Sequence, residues 1–178
     1  LGSIGLFFCW LLKRRGASRI VGIDPIKHRC QVAGRFGADY VIPASSLEVL
    51  HASRQDNGAW IPPDICIEAV GHQMETLNDC LSLVRQQGSV LAFGVPDQPV
   101  YAIEYEMFFR KNLNLISCVT PDWSEYLAKS RDIFLASRDE LEPLVTHRFP
   151  IREAAHAFTM YEEHEDGIIK ALIDMSDW

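Results

Sequence analysis

The sequence of 178 residues lacks the features that mark membrane proteins and nucleic-acid-binding proteins. No stretch approaches the roughly 18 consecutive apolar residues that a membrane-spanning helix needs. No basic block offsets the net charge of −7, which argues against nucleic acid as a partner. The densest basic stretch, Lys13-Arg14-Arg15, is typical of the last turn of a helix, where cations complement the helix dipole. We therefore expect neither a membrane nor a nucleic acid among the partners of this chain.

The cysteines form no pattern of a metal site or of a disulfide framework. There are five, an odd number, and they are widely scattered: Cys9, Cys30, Cys66, Cys80 and Cys118. No C-x-x-C pair and no Cys/His cluster with zinc-ligand spacing occurs, so no metal site is predicted in this chain. Cys9, Cys66 and Cys118 lie in apolar runs and are predicted to be buried thiols of a reducing compartment. The expected location is the cytoplasm.

Strand-like and helix-like segments alternate along the chain, which is typical of a parallel α/β sheet. Nothing in the sequence repeats, and no tract is of low complexity. Short apolar runs predict strands at residues 19–24, 38–42, 64–70, 89–93, 113–119 and 168–174. Helices are predicted at residues 2–15, 25–36, 46–54, 73–85, 122–137 and 151–163, and a loop at residues 55–63.

The chain begins with a glycine pattern, Leu1-Gly2-Ser3-Ile4-Gly5, that runs directly into apolar helix-like sequence. The pattern matches the end of a G-x-G-x-x-G dinucleotide loop, so we expect the first glycine and the preceding strand upstream of residue 1. In such a loop Gly2 allows close approach of a pyrophosphate, Ser3 and Ile4 offer backbone N–H groups, and Gly5 lets the helix pack tightly. The alternative is a plain turn at the start of a helix.

An acidic residue stands where a dinucleotide-binding unit needs one. Asp24 ends the next predicted strand, about 20 positions after the glycines, where a carboxylate hydrogen-bonds an adenosine ribose. Its alternative role is a helix N-cap before Pro25. A carboxylate accepts from a 2′-hydroxyl and repels a 2′-phosphate, which favours NAD over NADP. The basic residues Lys27, His28 and Arg29 leave NADP open, because they offer partners for a phosphate.

Several segments, in order, resemble the medium-chain, zinc-type alcohol dehydrogenases and their polyol and threonine dehydrogenase relatives. They are L-G-S-I-G-L, V-G-I-D-P-I-K-H-R, F-G-A-D-Y-V-I, D-I-C-I-E-A-V-G and G-S-V-L-A-F-G-V-P. The tail L-V-T-H-R-F-P-I-R-E-A-A-H-A-F and the segment I-I-K-A-L-I are also similar to that family. Together these segments cover nearly the whole chain.

The resemblance implies a set of cofactor-binding residues. The pyrophosphate would lie on the glycine loop, the adenosine ribose on Asp24 and Arg29, and the rest of the cofactor along the ends of later strands. The implied residues are Gly2, Ser3, Ile4, Gly5, Asp24, Arg29, Ala69, Val70, Gly71, Phe93 and Lys170. Plain core packing is the alternative for Ala69, Val70 and Phe93, and a solvated surface position is the alternative for Lys170.

The resemblance also implies a fold and a domain organisation. The fold is a Rossmann-type doubly wound parallel sheet of order 3-2-1-4-5-6, truncated before its first strand, which would be a central one. Residues 1–120 would form the incomplete dinucleotide-binding domain, and residues 121–178 a helix-rich segment that packs back toward a catalytic domain upstream. Catalytic residues and a zinc ion are expected in that upstream domain. His147 and His164 of this chain are instead expected in strand-like and solvated surroundings.

The implied reaction is reversible hydride transfer between nicotinamide and an alcohol, polyol or amino-alcohol, with this chain supplying the cofactor-binding part. The chain alone would be inactive. Residues 113–119, from Leu113 to Val119, would form an exposed edge strand that pairs in a homodimer. Alternative functions are a zinc-free quinone or enoyl-type reductase, a non-catalytic nucleotide-binding module, and an S-adenosylmethionine methyltransferase.

Overall fold

The computed structural model describes residues 1–56, 58–119 and 123–176. The chain divides into two compact units. The first unit contains Leu1–Pro43 together with the described residues 123–176, and the second contains the described residues from Ala44 to Val119.

The first unit begins with two helices and two strands: α1 (Ser3–Arg14), β1 (Val21–Ile23), α2 (Lys27–Ala33) and β2 (Tyr40–Ile42). Helix α1 buries Leu6, Cys9 and Trp10, which recur at helical spacing. These side chains share one apolar core with Ile20, Ala33 and Phe36. The basic residues Lys13 and Arg14 lie in the last turn of α1, as the sequence predicts.

The second unit contains three helices and three strands: α3 (Ser46–Gln55), β3 (Ile65–Glu68), α4 (Glu75–Leu83), β4 (Ser89–Ala92), α5 (Tyr105–Arg110) and β5 (Asn114–Ser117). Ser45 and Glu48 form a reciprocal capping box at the start of α3. The core of the unit contains Leu81, Val84 and Val90, which join α4 to the sheet.

The C-terminal part of the first unit contains α6 (Trp123–Ala136), α7 (Arg138–Leu141), β6 (His147–Pro150), α8 (Ala154–Glu162) and β7 (Ala171–Asp174). Leu141 and Ile169 belong to the core that α1 builds, so this segment packs on the N-terminal residues. A smaller cluster of Phe149, Ala157 and Ile168 joins α8 to the segment before β7.

All described strand pairs are parallel. β1 pairs with β2, the second sheet has the order β3-β4-β5, and β6 pairs with β7 in a third sheet. The pairs β1-β2 and β3-β4-β5 reproduce the 3-2 and 4-5-6 neighbours of the predicted order. Parallel pairing explains the short, nearly continuous apolar strands that the sequence contains.

Helix α5 was missed from the sequence, and the predicted burial of Cys118 is wrong. Helix α5 was not expected because its six residues carry no side-chain cap and bury none of their side chains. Cys118 is exposed, whereas Cys9 is buried and Cys66 is half-buried. Cys118 follows β5, the outermost strand of its sheet, where the apolar run faces outward.

Some predicted element and domain boundaries fall outside the residues that the structure describes. The helix predicted from Asp122 begins at Trp123 as far as the structure describes it, and Asp122 lies outside the described residues. The predicted domain boundary at residues 120 and 121 also lies outside them, as does Asn57 in the predicted loop. Among the described helices, none has both the length and the apolar character needed to cross a membrane.

Candidate functional site

The start of α1 presents backbone donors without a side-chain cap. Gly2 is the N-cap residue, in an extended conformation, and no acidic residue occupies the first turn. The first bond of the helix runs from the Leu6 N–H to the Gly2 carbonyl at 2.9 Å. The N–H groups before Leu6 therefore have no partner within the helix. Such a helix start favours an anion, because the dipole and the free N–H groups act together.

The two glycines of this turn are not required by packing among the described residues. A Cβ atom on Gly2 would lie 3.9 Å from Arg29 Nη1, and one on Gly5 would lie 4.0 Å from the Leu1 side chain. Both distances are ordinary van der Waals contacts. Glycine at these positions is thus better explained by close approach of a further group than by contacts within the described structure.

Asp24 directly follows β1, next to the start of α1. Its Oδ2 accepts from the Leu1 nitrogen at 2.5 Å, and its Oδ1 accepts from the Ile26 N–H at 2.8 Å. The second bond closes a local Asx-type turn before α2. The N-cap residue of α2 is Ile26, without a side-chain cap bond, so the alternative role of Asp24 as the helix N-cap is wrong. A carboxylate has about four acceptor positions, and these two bonds leave others for a hydroxyl donor. The side chain is only 6% exposed, which fixes its direction.

Arg29, in the first turn of α2, brings positive charge to the same place. Its Nη1 lies 3.7 Å from Asp24 Oδ2, and the side chain is 16% exposed. The Nε atom is buried and has no hydrogen-bond partner in the structure. A guanidinium carries only hydrogen-bond donors, so the unpaired Nε–H can bind an additional acceptor, such as a phosphate or ribose oxygen. Gly2, Asp24 and Arg29 are therefore brought together.

Cys30 supports the turn that holds Asp24. Its thiol donates to the Asp24 carbonyl at 3.1 Å. Burial raises the pKa of the Cys30 thiol, and the negative charge of Asp24 raises it further. The group therefore stays a thiol, and a donor, at neutral pH.

In the second unit a buried carboxylate ties together the loops that follow β3 and β4. Glu68 ends β3 and is 5% exposed. Its Oε1 accepts from the N–H groups of Val70 and Gly71 at 2.8 and 2.9 Å and from the Thr76 hydroxyl at 3.1 Å. Its Oε2 accepts from the Gly94 N–H at 3.2 Å. One side chain thus sets the path of both loops.

The same two loops approach each other at backbone distance. A Cβ atom on Gly94 would lie 2.3 Å from the Gly71 nitrogen, so only glycine fits there. The His72 N–H donates to the Val95 carbonyl at 2.8 Å, and the Phe93 N–H donates to the Glu68 carbonyl at 2.9 Å. Val70 is 61% exposed, whereas Gly71 is buried. Val70, Gly71 and Phe93 are therefore neighbours at the carboxyl ends of adjacent parallel strands.

Ala69 is half-buried in this loop, and Lys170 lies just before β7 in the first unit. The Lys170 carbonyl accepts from the Thr146 N–H at 3.0 Å, and its side chain is exposed. In the part of the chain that the structure describes, no hydrogen bond or ion pair joins the Lys170 ammonium to Asp24 or Arg29.

Two residues of these sites were not singled out from the sequence. Glu68 stands in E-A-V-G, a segment that looks like an ordinary strand end. The signal that could have identified it is a single acidic residue at the end of an apolar run, because a buried acid needs hydrogen-bond partners. His164 was expected in solvated surroundings, and it is exposed, but its Nδ1 lies 3.3 Å from Arg29 Nη2. No sequence pattern indicates that contact, which spans two distant segments.

Potential metal ligands do not converge within residues 1–56, 58–119 and 123–176. No group of three or more His, Cys, Asp or Glu side chains there has the arrangement of a metal site. The described residues therefore do not by themselves fit a zinc ion.

Comparison with known proteins gives consistent matches over this chain. An alcohol dehydrogenase of Cupriavidus necator is 27% identical over 177 residues, which cover 97% of this chain and 47% of that protein. The solved alcohol dehydrogenase TADH from Thermus sp. ATN1 has a TM-score of 0.82 at 27% identity, over 98% of this chain and 49% of its own. The chain thus spans about half the length of the relatives it matches.

The fold is shared with more distant structures. A short chain alcohol dehydrogenase from E. coli CFT073, solved with NADH, matches with a TM-score of 0.77 at 22% identity, over 98% of this chain and 50% of its own. The predicted Rossmann-type parallel α/β class is confirmed. The family model for zinc-binding dehydrogenases matches residues 3–133, most of the chain. The chain belongs to the zinc-binding dehydrogenase family, and it corresponds to the cofactor-binding part of the family's members.

Proposed function

We propose that this chain is the cofactor-binding part of an NAD-dependent dehydrogenase that oxidises an alcohol group or reduces the corresponding carbonyl. The observation that carries the proposal is the convergence of Gly2, Asp24 and Arg29 at the start of α1. Membership of the zinc-binding dehydrogenase family supports the same reading and removes the methyltransferase alternative.

The pyrophosphate of the cofactor binds at the start of α1. Ser3, Ile4 and Gly5 supply backbone N–H groups there, and Gly2 leaves room for close approach. Lys170 adds a positive charge near the phosphates. Its exposed side chain is free of the ion pairs found elsewhere among the described residues.

Asp24 and Arg29 hold the adenosine ribose. The remaining acceptor positions of Asp24 take the ribose hydroxyls, and the unpaired Arg29 Nε–H calls for one more oxygen. The carboxylate repels a 2′-phosphate, so NAD is preferred over NADP. The neighbouring Arg29 guanidinium limits the preference for NAD over NADP, because its positive charge offsets part of the repulsion between Asp24 and a 2′-phosphate.

In the second unit, the loops after β3 and β4 carry the residues that the family resemblance assigns to the nicotinamide end of the cofactor. Ala69, Val70, Gly71 and Phe93 offer backbone and apolar contacts, and Glu68 holds these loops in shape. Bound nicotinamide would supply the chemistry, a hydride exchanged with the carbon of an alcohol. The chain's own residues bind and orient the cofactor.

The chain alone is expected to bind the cofactor without turnover. The described residues contain no group of three or more His, Cys, Asp or Glu side chains that could hold a zinc ion. Because the chain spans about half the length of its relatives, we assign a zinc ion and the substrate site of the whole protein to the half that the relatives have in addition. A zinc-free reductase remains the alternative for the whole protein, and the substrate class includes alcohols, polyols and amino-alcohols.

The proposed assembly is a homodimer through β5, whose four residues are all exposed. Strand β5 lies at the edge of its sheet and offers unpaired backbone groups along one side. The expected cytoplasmic location stays a prediction, in keeping with five free cysteines.

The test is equilibrium binding of NADH and NADPH, followed by cofactor fluorescence, to the full-length protein and to its Asp24→Ala and Asp24→Asn variants. The wild type is expected to prefer NADH by about tenfold or more, since one charge contact is worth that much. Asp24→Ala is expected to weaken NADH binding and to reduce the preference for NADH over NADPH. Asp24→Asn is expected to reduce the same preference while keeping the turn before α2. Equal affinity for the two cofactors, unchanged in both variants, would contradict the role of Asp24.

A further inference from the structure

His164 occupies a left-handed backbone conformation, which is uncommon for residues other than glycine. It follows the last residues of α8 and has φ 57° and ψ 33°, the left-handed region. Glycine or asparagine usually takes this position after a helix, and other residues pay a conformational cost there. The turn continues to Ile168 and Ile169, which are 0% and 2% exposed and anchor it in the core. The left-handed turn directs the His164 side chain to α2.

Two contacts join this turn to the first turn of α2. The imidazole of His28 lies 3.3 Å from the Ile168 carbonyl, and the His164 Nδ1 lies 3.3 Å from Arg29 Nη2. A guanidinium has no acceptor, so in this contact Nη2 is the donor and Nδ1 the acceptor. His164 stands among four acidic residues in the sequence: Glu162, Glu163, Glu165 and Asp166.

The contact fixes the direction of the guanidinium. This group is a rigid planar fork, so a hydrogen bond at Nη2 also determines where Nη1 and Nε point. Nη1 is the atom that lies 3.7 Å from Asp24 Oδ2 and 3.9 Å from a Cβ position on Gly2. Without His164, this hydrogen bond no longer restrains the guanidinium, and other rotamers of the Arg29 side chain become available.

We propose that His164 is a positioning residue for the adenosine half of the cofactor, acting through Arg29. It accepts from Nη2 and thereby holds the guanidinium beside Gly2 and Asp24, where Arg29 contacts the ribose and phosphate oxygens. This inference rests on the proposed function, since it concerns the same nucleotide site. It adds a residue from the C-terminal segment to a site otherwise built from α1, β1 and α2.

The test compares two variants that keep the left-handed turn. His164→Gly removes the acceptor and His164→Asn retains one, because the asparagine amide oxygen takes the place of Nδ1 and asparagine tolerates this conformation. Binding of NADH and of ADP-ribose to the full-length protein is measured by fluorescence and by competition. His164→Gly is expected to weaken both by about three- to tenfold, the range of one net hydrogen bond, and His164→Asn to remain within about twofold of wild type.

A double-mutant cycle with Arg29→Ala separates positioning from general structural support. In the Arg29→Ala background, His164→Gly is expected to cause no further loss of affinity, and the apo melting temperatures of His164→Gly and His164→Asn to agree. Equal binding by wild type, His164→Gly and His164→Asn would overturn the inference while leaving the proposed function intact. The inference would also be overturned if His164→Gly reduced the affinity by the same factor in the wild-type and in the Arg29→Ala background. Absence of NADH and NADPH binding by the wild type would instead refute the proposed function.

Discussion

At the scale of single residues, the buried carboxylate of Glu68 holds two loops together. Its two oxygens accept from backbone N–H groups of both loops and from the Thr76 hydroxyl. A buried N–H that loses its acceptor costs more than the bond itself contributes. The acid is therefore better understood as part of the loop structure than as a reacting group.

We expect Glu68→Ala to lower the free energy of unfolding by about 2–4 kcal/mol, because it removes the side-chain acceptor of the Val70 and Gly71 N–H groups and of the Thr76 hydroxyl. Glu68→Gln keeps one oxygen and should lose less. Denaturant unfolding measures both. The matched control is Glu75→Gln, an exposed acid at the start of α4, with an expected change within about 0.5 kcal/mol. Equal, small losses for all three variants would contradict the role of Glu68.

At the scale of elements, the close approach of the loops after β3 and β4 separates two glycines that look alike in sequence. Gly94 has backbone atoms of Gly71 within 2.5 Å of where its Cβ atom would lie. Gly34, at the end of α2, has nothing within 4 Å of that position and has a helical backbone with φ −61°.

Gly94→Ala is therefore expected to destabilise the protein by more than about 2 kcal/mol and to weaken NADH binding, since the loops must move apart. Gly34→Ala should be neutral or stabilise by up to about 1 kcal/mol, because alanine restricts the unfolded chain without strain. Thermal unfolding of both variants and NADH titration provide the comparison. A Gly94→Ala protein as stable as Gly34→Ala would show that the loops do not pack as described.

Helix α7 is tied to α1 by a hydrogen bond from the indole of Trp10 to Glu140 Oε2 at 2.8 Å, with Arg14 at 3.0 Å from Oε1. The Trp10 bond, followed by the positive charge of Arg14, lowers the pKa of Glu140 below its ordinary value of 4.5. A depressed folded-state pKa means that the folded state favours the carboxylate. Its contribution to stability is present above pH 4.5 and is lost as the pH falls through the lower folded value.

We expect the wild type to lose melting temperature between pH 6 and pH 3 more steeply than Glu140→Gln, in which this carboxylate cannot titrate. The difference between the two proteins should shrink toward the acid end of the series. Differential scanning calorimetry over that range measures it. Parallel curves over the whole range would contradict the Trp10–Glu140 link.

At the scale of the whole molecule, β5 and α6 leave large apolar side chains exposed in the described structure. Ile116 on β5 is 51% exposed, and Trp123 and Leu127 on α6 are 69% and 60% exposed. An edge strand of this kind is a ready site for pairing with another chain. This is the physical basis of the proposed homodimer.

Ile116→Lys should shift the full-length protein from dimer toward monomer, because a charged side chain blocks an edge strand. Ile61→Lys is the control, since Ile61 is 68% exposed in the loop before β3 and is not part of a strand. Sedimentation equilibrium over a range of protein concentrations gives the association constants. A wild type that stays monomeric, or equal association by both variants, would refute pairing through β5.

The runs that became β1, β3 and β4 were predictable because strands covered on both faces are continuously apolar, and Asp24 was predictable because it ends such a run. The six-residue helix α5 was not predictable from the sequence, since it has no side-chain cap and no buried side chain. The contact between His164 and Arg29 was not either, because it depends on a left-handed turn in an acidic stretch that local sequence does not encode.

The central claim, that a nicotinamide dinucleotide lies on the start of α1, is tested most directly by a structure of the full-length protein with NADH. The account predicts pyrophosphate oxygens within about 3 Å of the Ser3, Ile4 or Gly5 N–H groups and a ribose hydroxyl at the same distance from Asp24. Arg29 should contact the same half of the cofactor. An NADH molecule bound at another place, or a site at α1 that stays empty at saturating NADH, would contradict it.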